Sequence, residues 1–421
     1  MTRSESSRAA PLASWAAAAV WLVLLAGLFF HHSETPRLFG RFSIAYAVCL
    51  VAWALATPLV YLAARALLST TVQTRKDGSE LRVPPAQKLA LVAGSMVAVY
   101  ALLQVAAPSP RLRFESNAFL QTVPSPYAAA GVNRRGFRGE DPALPKPAGH
   151  SRVLLLGGST TFDPSLEYAD SYGKRLQDLL SSRLAPRTVD VQCAAMPAFT
   201  TAHDLVRYAL DAIDLDADVV LVMEAINDLY ANVEFHERFR TDYGHVTALA
   251  RDRLLPWFHD RTPLLRTLRH FWNSVLFSDS RGVPVLETRG IVPDAATFAR
   301  NLRSIVVLGR SRAQRVVLCT QPHRYRLDLP PADRIRGEAA LRDFRNGQPL
   351  PNFLWFVENM AAFNQKIREV AASEGAPLLD FERLLPTTGT LYGDEIHMTK
   401  EGALLEAALA ARFLEDQGLL R

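Results

Sequence analysis

Cysteine is scarce in this chain of 421 residues: there are only Cys49, Cys193 and Cys319. Three thiols so widely scattered exclude a disulfide framework, and none has the paired spacing of a zinc or iron–sulfur site. Cys193 and Cys319 lie in apolar runs, where a buried free thiol is the plain reading. The phosphate-cradling patterns G-x-x-x-x-G-K-[ST] and G-x-G-x-x-G are missing as well. So is the G-x-S-x-G elbow of α/β-hydrolases, because Thr161 stands two residues after Ser159. Excess charge is confined to one end. Nine of the 47 basic residues and four of the 42 acidic ones fall in 1–110, leaving 38 of each beyond. The net charge of +5 therefore belongs to the N-terminal quarter. A nucleic-acid-binding protein would carry a basic surface on its folded domain, so no nucleic-acid partner is expected.

Long apolar stretches are what that quarter does have. Residues 12–30 contain no charge, 42–68 are apolar except for Arg65, and 89–107 form another uncharged run. Each is long enough for a hydrocarbon core of about 30 Å at about 1.5 Å per helical residue. A cleaved signal peptide would account for the first run but not the others. The expectation is a membrane region over 1–107 with three transmembrane helices. Arg3 and Arg8 precede the first run, and Arg75, Lys76, Arg82 and Lys88 separate the second from the third; between the first and second are only Arg37 and Arg41. The positive-inside bias then places the N-terminus in the cytoplasm and everything after residue 108 outside it. His31 and His32 read as interfacial side chains rather than a metal pair.

Seven prolines in 108–150 exclude long helices there. This segment reads as an extended connector, expected to pack on the following domain through Phe114, Phe119 and Phe137. From 151 to 421 strand-like and helix-like stretches alternate. Short apolar runs at 152–157, 189–194, 218–224, 314–320 and 376–380 suit strands covered on both faces. Helix-like segments at 172–183, 202–213, 295–310, 353–372 and 400–417 lie between and after them. The fold class is α/β, with a doubly wound parallel sheet of five strands. Residues 231–292 are too many for a plain connection and carry aromatics from Trp257 to Phe277, as a helical cap over the sheet would.

Ligands in such sheets bind at the carboxyl ends of the strands. Four chemistry-bearing groups collect there: Ser159 after the first strand, Asn227 and Asp228 after the third, and Asp394 with His397 before the last helix. Ser159, Asn227 and Asp228 each have a bland alternative as helix caps. D-x-x-H also occurs at Asp242 and His245, away from any strand end. The spacing in Asp394–His397 lets a carboxylate reach its own histidine's Nδ1 and fix its tautomer. Hydroxyl, amide, imidazole and carboxylate together are the components of nucleophilic acyl transfer.

Order and spacing resemble the SGNH/GDSL hydrolase superfamily over about residues 130–415. VLLLGGSTTF matches its first block, Ala225-Ile226-Asn227-Asp228 its third, and DEIHMTKEG its fifth. Gly136-Phe137-Arg138-Gly139 upstream adds to the likeness. The resemblance implies a flavodoxin-like fold and a serine esterase without cofactor or metal. Ser159 would be the nucleophile, His397 the base and Asp394 its orienter, with Ser159 N–H, Ala195 N–H and the Asn227 side chain as oxyanion donors. Alanines at 195 and 225 replace family glycines, and Ala195 would be strained if the site demands positive φ. A membrane anchor with an outward domain implies an acylated envelope glycan, a lipid or a small ester as substrate. The alternatives are an O-acyltransferase acting on a surface polysaccharide, or a silent domain that binds glycan or serves a membrane acyltransferase partner.

Overall fold

The computed structural model describes residues 2–5, 9–30, 44–106, 112, 114–117, 119–235, 239–243, 292–329 and 353–420. The chain divides into two units, with the break after Pro108. The N-terminal one contains β1 (Thr2–Glu5), α1 (Ala9–Phe30), α2 (Ile44–Leu55), α3 (Thr57–Leu68), β2 (Thr70–Thr74), β3 (Glu80–Val83) and α4 (Pro85–Ala106). Backbone bonds from Ala56 N to Ala52 O and from Val60 N to Ala56 O carry α2 into α3. The junction falls beside Pro58, which has no N–H to donate. α1 packs against α2 and α3, with the Trp21 and Trp53 rings stacked at 4.0 Å. Each indole also donates to the other residue's carbonyl oxygen, at 3.0 and 3.2 Å. β1, β2 and β3 form an antiparallel sheet in which Thr2 faces Gln73 and Thr71 faces Val83.

Three spans were expected here. Among the described residues, one helical run, Ala47–Leu68, is long and apolar enough to cross a membrane, and Pro11–Ala26 is a shorter apolar helix. The third apolar run lies in α4. His31 and His32 lie outside the described residues.

In the second unit come the hairpin β4 (Phe114–Asn117) and β5 (Gln121–Pro124), then β6 (His150–Gly157), α5 (Ser159–Phe162), α6 (Tyr172–Arg183), β7 (Thr188–Cys193), α7 (Thr201–Arg207), β8 (Val219–Met223) and α8 (Ile226–Phe235). They are followed by α9 (Ala295–Ser311), β9 (Arg315–Cys319), α10 (Phe353–Glu374), β10 (Leu378–Leu379), α11 (Phe381–Leu384) and α12 (Lys400–Asp416). Five parallel strands lie in the order β10-β9-β8-β6-β7. The chain starts at β6, steps outward to β7, returns past β6 to β8, and continues in that direction. Right-handed crossovers therefore put α6 on one face and α7, α9 and α10 on the other. The contacts agree: α9 packs on α7 and α10, whereas α12 returns to lie on α6.

Both faces of the sheet are covered, which is why β6 is an unbroken apolar run from Val153 to Leu156. Val153 and Leu155 point into the α6/α12 core with Leu176, Leu180, Ala407, Ala411 and Leu414. Leu154 and Leu156, equally buried, alternate to the opposite face. Each such leucine contributes about 1.5–3 kcal/mol by leaving water. On α9 the apolar stripe Phe298, Leu302, Ile305, Val306 recurs at helical spacing and is buried. Asp294 caps that helix, its Oδ1 accepting from the amides of Ala296 and Thr297.

The proline-rich connector belongs to this second unit. Arg138 bridges to Cys193 in antiparallel fashion, so the connector pads the free edge of β7. Phe137 is fully buried there, whereas Phe114 and Phe119 are exposed and do not share in the packing expected of them. The cap expected over 231–292 lies mostly outside the described residues, as does the whole 257–277 aromatic stretch.

Candidate active site

The chain reverses its winding direction between β6 and β8, and the loops that leave these two strands diverge at the carboxyl edge. At the end of β6, Gly157 has φ +152, and a Cβ there would lie 2.3 Å from Met223 O. Gly158 follows, at φ −93. A Cβ on it would lie 2.2 Å from Asn227 Nδ2 and 2.6 Å from Glu224 Oε2. The pair of glycines thus lets β8 and its loop come directly against the residue before Ser159.

Ser159 is the first residue of α5 but does not cap it. Its hydroxyl lies 2.8 Å from His397 Nε2. On the far side of the ring, Nδ1 is 2.7 Å from Asp394 Oδ2. Asp394 Oδ1 accepts from the backbone amides of Ile396 and His397, at 2.9 and 2.7 Å, closing the turn that the D-x-x-H spacing suggested. Burial acts to raise the Asp394 pKa. The His397 ring and the two amides outweigh it and hold the carboxyl below its usual range. The other D-x-x-H is different: Asp242 accepts from Arg240, and His245 lies outside the described residues.

Asn227 stands beside this line. Its Nδ2 donates to Phe199 O at 2.8 Å and to Glu224 Oε2 at 3.2 Å. Asp228 does act as a cap, though not for its own helix. It accepts from the Thr201 amide and hydroxyl at the start of α7, and from Tyr243 Oη. Burial pushes its pKa up to about 6 despite those donors.

Ala195 sits differently from expectation. It is fully buried and has no positive φ, so the strain foreseen there does not arise. The left-handed residue in this loop is Ala198, at φ +69. Ala198 is exposed and immediately precedes Phe199, whose carbonyl holds the Asn227 side chain. Ala225 is fully buried and donates its amide to Glu224 Oε1.

Several residues around the site were given no role by sequence. Arg138 is buried, and its guanidinium donates to the carbonyls of Ala130, Phe162, Asp163 and Leu166, holding the turn that follows the Ser159 helix. Asp163 is at φ +53 and accepts from the Tyr172 amide. Burial raises its pKa to about 7, with Tyr172 N–H, Arg138 and His397 pulling the other way. Asp204 and Glu224 are buried behind the two glycines, and burial drives both carboxyls well above their ordinary range. The one available signal was Glu224 itself, a lone acid ending the apolar run of β8. Among the described residues no cluster of three or more His, Cys, Asp or Glu side chains is arranged to hold a metal ion.

Comparison with solved structures gives similar chains of modest likeness. An acetyl xylan esterase is 14% identical, with 62% of this chain and 97% of that one covered at a TM-score of 0.37. A single-residue variant of an acetyl-xylooligosaccharide esterase from a Geobacillus is 14% identical, covering 63% and 94% at 0.38. The lipase/acylhydrolase from Enterococcus faecalis is 18% identical, covering 63% and 96% at 0.36. No curated protein matches the chain at a significant level. Residues 155–405, more than half of the chain, match the GDSL-like lipase/acylhydrolase family. The protein therefore belongs to that family and is a hydrolase acting on ester bonds.

Proposed function

We propose that this chain is a membrane-anchored serine esterase that removes short acyl groups from an envelope glycan, lipid or small ester. The observation that carries the reading is the unbroken line from Ser159 Oγ through the His397 ring to Asp394, with links of 2.8 and 2.7 Å. In this reading Ser159 Oγ attacks the acyl carbonyl while its proton passes to His397 Nε2. Asp394 holds the ring with Nδ1–H toward itself and stabilises the imidazolium. His397 then returns the proton to the leaving alcohol, and water releases the acid from the acyl-serine by the same route. The Ser159 amide and the Asn227 side chain face the developing oxyanion. For the third donor, the exposed left-handed Ala198 is a better candidate than the buried Ala195. Each donor contributes on the order of 3–4 kcal/mol to the transition state.

For the anchor, the support is the apolar exterior of the N-terminal helices. Leu12, Trp15, Val23, Leu55, Leu59, Leu91 and Met96 are all exposed. β1 pairs with β2, which keeps the N-terminus and the basic 69–84 segment on one side of a bilayer. α1 and the α2–α3 run then cross and return, and α4 makes the third crossing to an extracytoplasmic hydrolase domain. The basic residues assign the shared side to the cytoplasm.

The test is hydrolysis of a short activated ester by the full chain in detergent, beside Ser159→Ala and His397→Ala. Losses of about 10³-fold or more are expected in both variants. A Ser159→Ala variant with wild-type turnover would overturn the proposal.

A further inference from the structure

Asn227 Nδ2 has two hydrogens, and both are engaged: Phe199 O accepts one at 2.8 Å, Glu224 Oε2 the other at 3.2 Å. Glu224 does more than accept from this side chain. Its Oε1 also accepts from the backbone amides of Ala225 and Asn227, at 3.0 and 3.1 Å. One carboxyl group thus holds both the backbone turn that presents Asn227 and the carboxamide at its tip. Glu224 is 1% exposed, and its Oε2 lies 2.6 Å from where a Gly158 Cβ would be, directly behind the nucleophile's own loop.

We propose that Glu224 is a positioning residue for ester cleavage, aiming the Asn227 carboxamide at the acyl oxygen. The inference rests on the esterase reading above. The longer of the two Nδ2 bonds is the one that yields when an oxyanion forms, so Glu224 serves as a resting-state acceptor for the hydrogen the transition state uses. That exchange requires a neutral acid, because a carboxylate would hold the hydrogen tightly and repel the oxyanion. The surroundings favour the neutral form. Glu224 is buried together with the carboxyls of Asp204 and Asp228, which raise its pKa further. Asp204, whose charge adds to that effect, is itself fully buried with neither carboxyl oxygen hydrogen-bonded.

The experiment compares wild type, Glu224→Leu, Glu224→Gln, Asn227→Ala and the Glu224→Leu/Asn227→Ala pair in the full chain. It measures kcat and KM on a short activated ester, the thermal midpoint, and the fraction of sites titrated by a fluorophosphonate. Glu224→Leu is expected to lower kcat about 30- to 100-fold, approaching the loss for removing an oxyanion donor, with KM within about twofold. Its thermal midpoint should fall modestly, because the amides of Ala225 and Asn227 lose their acceptor, while the titratable fraction stays near that of wild type. Glu224→Gln keeps an oxygen for the two backbone amides but turns an NH2 toward Asn227 Nδ2, so it should restore the thermal midpoint and recover only part of that kcat. The double variant should be no slower than Asn227→Ala alone, because Glu224 acts through Asn227. Wild-type kcat in Glu224→Leu, losses that multiply in the double variant, or a kcat loss matched by lost titratable sites would each overturn the proposal. Failure of the wild type itself to be titrated at Ser159 would instead remove the esterase reading, and this inference with it.

Discussion

Adding one methyl group at Gly158 probes the site without touching any reacting atom. Its φ of −93 is on the side that alanine prefers, so the chief effect comes from space. The new Cβ would stand 2.2 Å from Asn227 Nδ2 and 2.6 Å from Glu224 Oε2, whereas ordinary contact begins at 3.4 Å. Asn227 must therefore retreat by about an ångström. Both partners are hydrogen-bonded to the backbone around them, so they cannot swing aside freely. Overpacking of this kind costs about 1–3 kcal/mol of stability. A misplacement of about 1 Å at a reacting centre costs about 100-fold in rate. Gly158→Ala is thus expected to remain folded with a lowered thermal midpoint, and to lose about 100-fold in kcat on a short activated ester with KM little changed. Steady-state kinetics beside a thermal melt reads both. Turnover within about threefold of wild type would refute the placement of Asn227 against the nucleophile's loop.

Three further outcomes follow from the same geometry. Arg138→Met leaves the carbonyls of Ala130, Phe162, Asp163 and Leu166 without their shared donor. Removing a buried charged hydrogen-bonding group should cost about 3–5 kcal/mol in chemical denaturation; a change below about 1 kcal/mol would contradict the clamp. Asp163, with its pKa raised from 3.8 to about 7, keeps a proton in the folded state that the unfolded chain has lost. Its contribution to stability is therefore intact below about pH 4 and declines as pH rises to about 7, by on the order of 4 kcal/mol. Asp163→Asn should flatten that part of the wild-type stability–pH curve, and a parallel curve would show that Asp163 is ionised throughout. A reporter active only in the cytoplasm should work when inserted at the Asp77–Gly78 turn between β2 and β3, and one active only outside it should work after Arg421; exchanged results would reverse the topology.

The parts of the fold that sequence made legible share a physical cause. Strands covered on both faces are apolar along their buried middle, so residues 153–156 of β6, β8 and residues 316–319 of β9 stand out as short unbroken runs. The Asp394–His397 pair is also a local structure, a turn closed by its own side chain, and needs no tertiary information to be suspected. Ala198 was missed because a left-handed backbone leaves no mark on an alanine, and the strained position was placed three residues early. Arg138 was missed as a clamp because its partners lie up to 28 residues along the chain and are all backbone carbonyls. Glu224 was hidden by the rule that acids face water, which this residue breaks at the carboxyl edge of a central strand. Phe114 and Phe119 failed in the other direction: an aromatic in a connector signals packing only where something covers it.

The most direct test of the account is to trap the serine. A fluorophosphonate should attach to Ser159 of the wild-type chain, mapped by peptide mass spectrometry, because only a hydroxyl activated by a neighbouring base attacks phosphorus readily. Labelling should disappear in Ser159→Ala and fall steeply in His397→Ala. Labelling that persists in Ser159→Ala, or that maps to another serine, would contradict the assignment of the site.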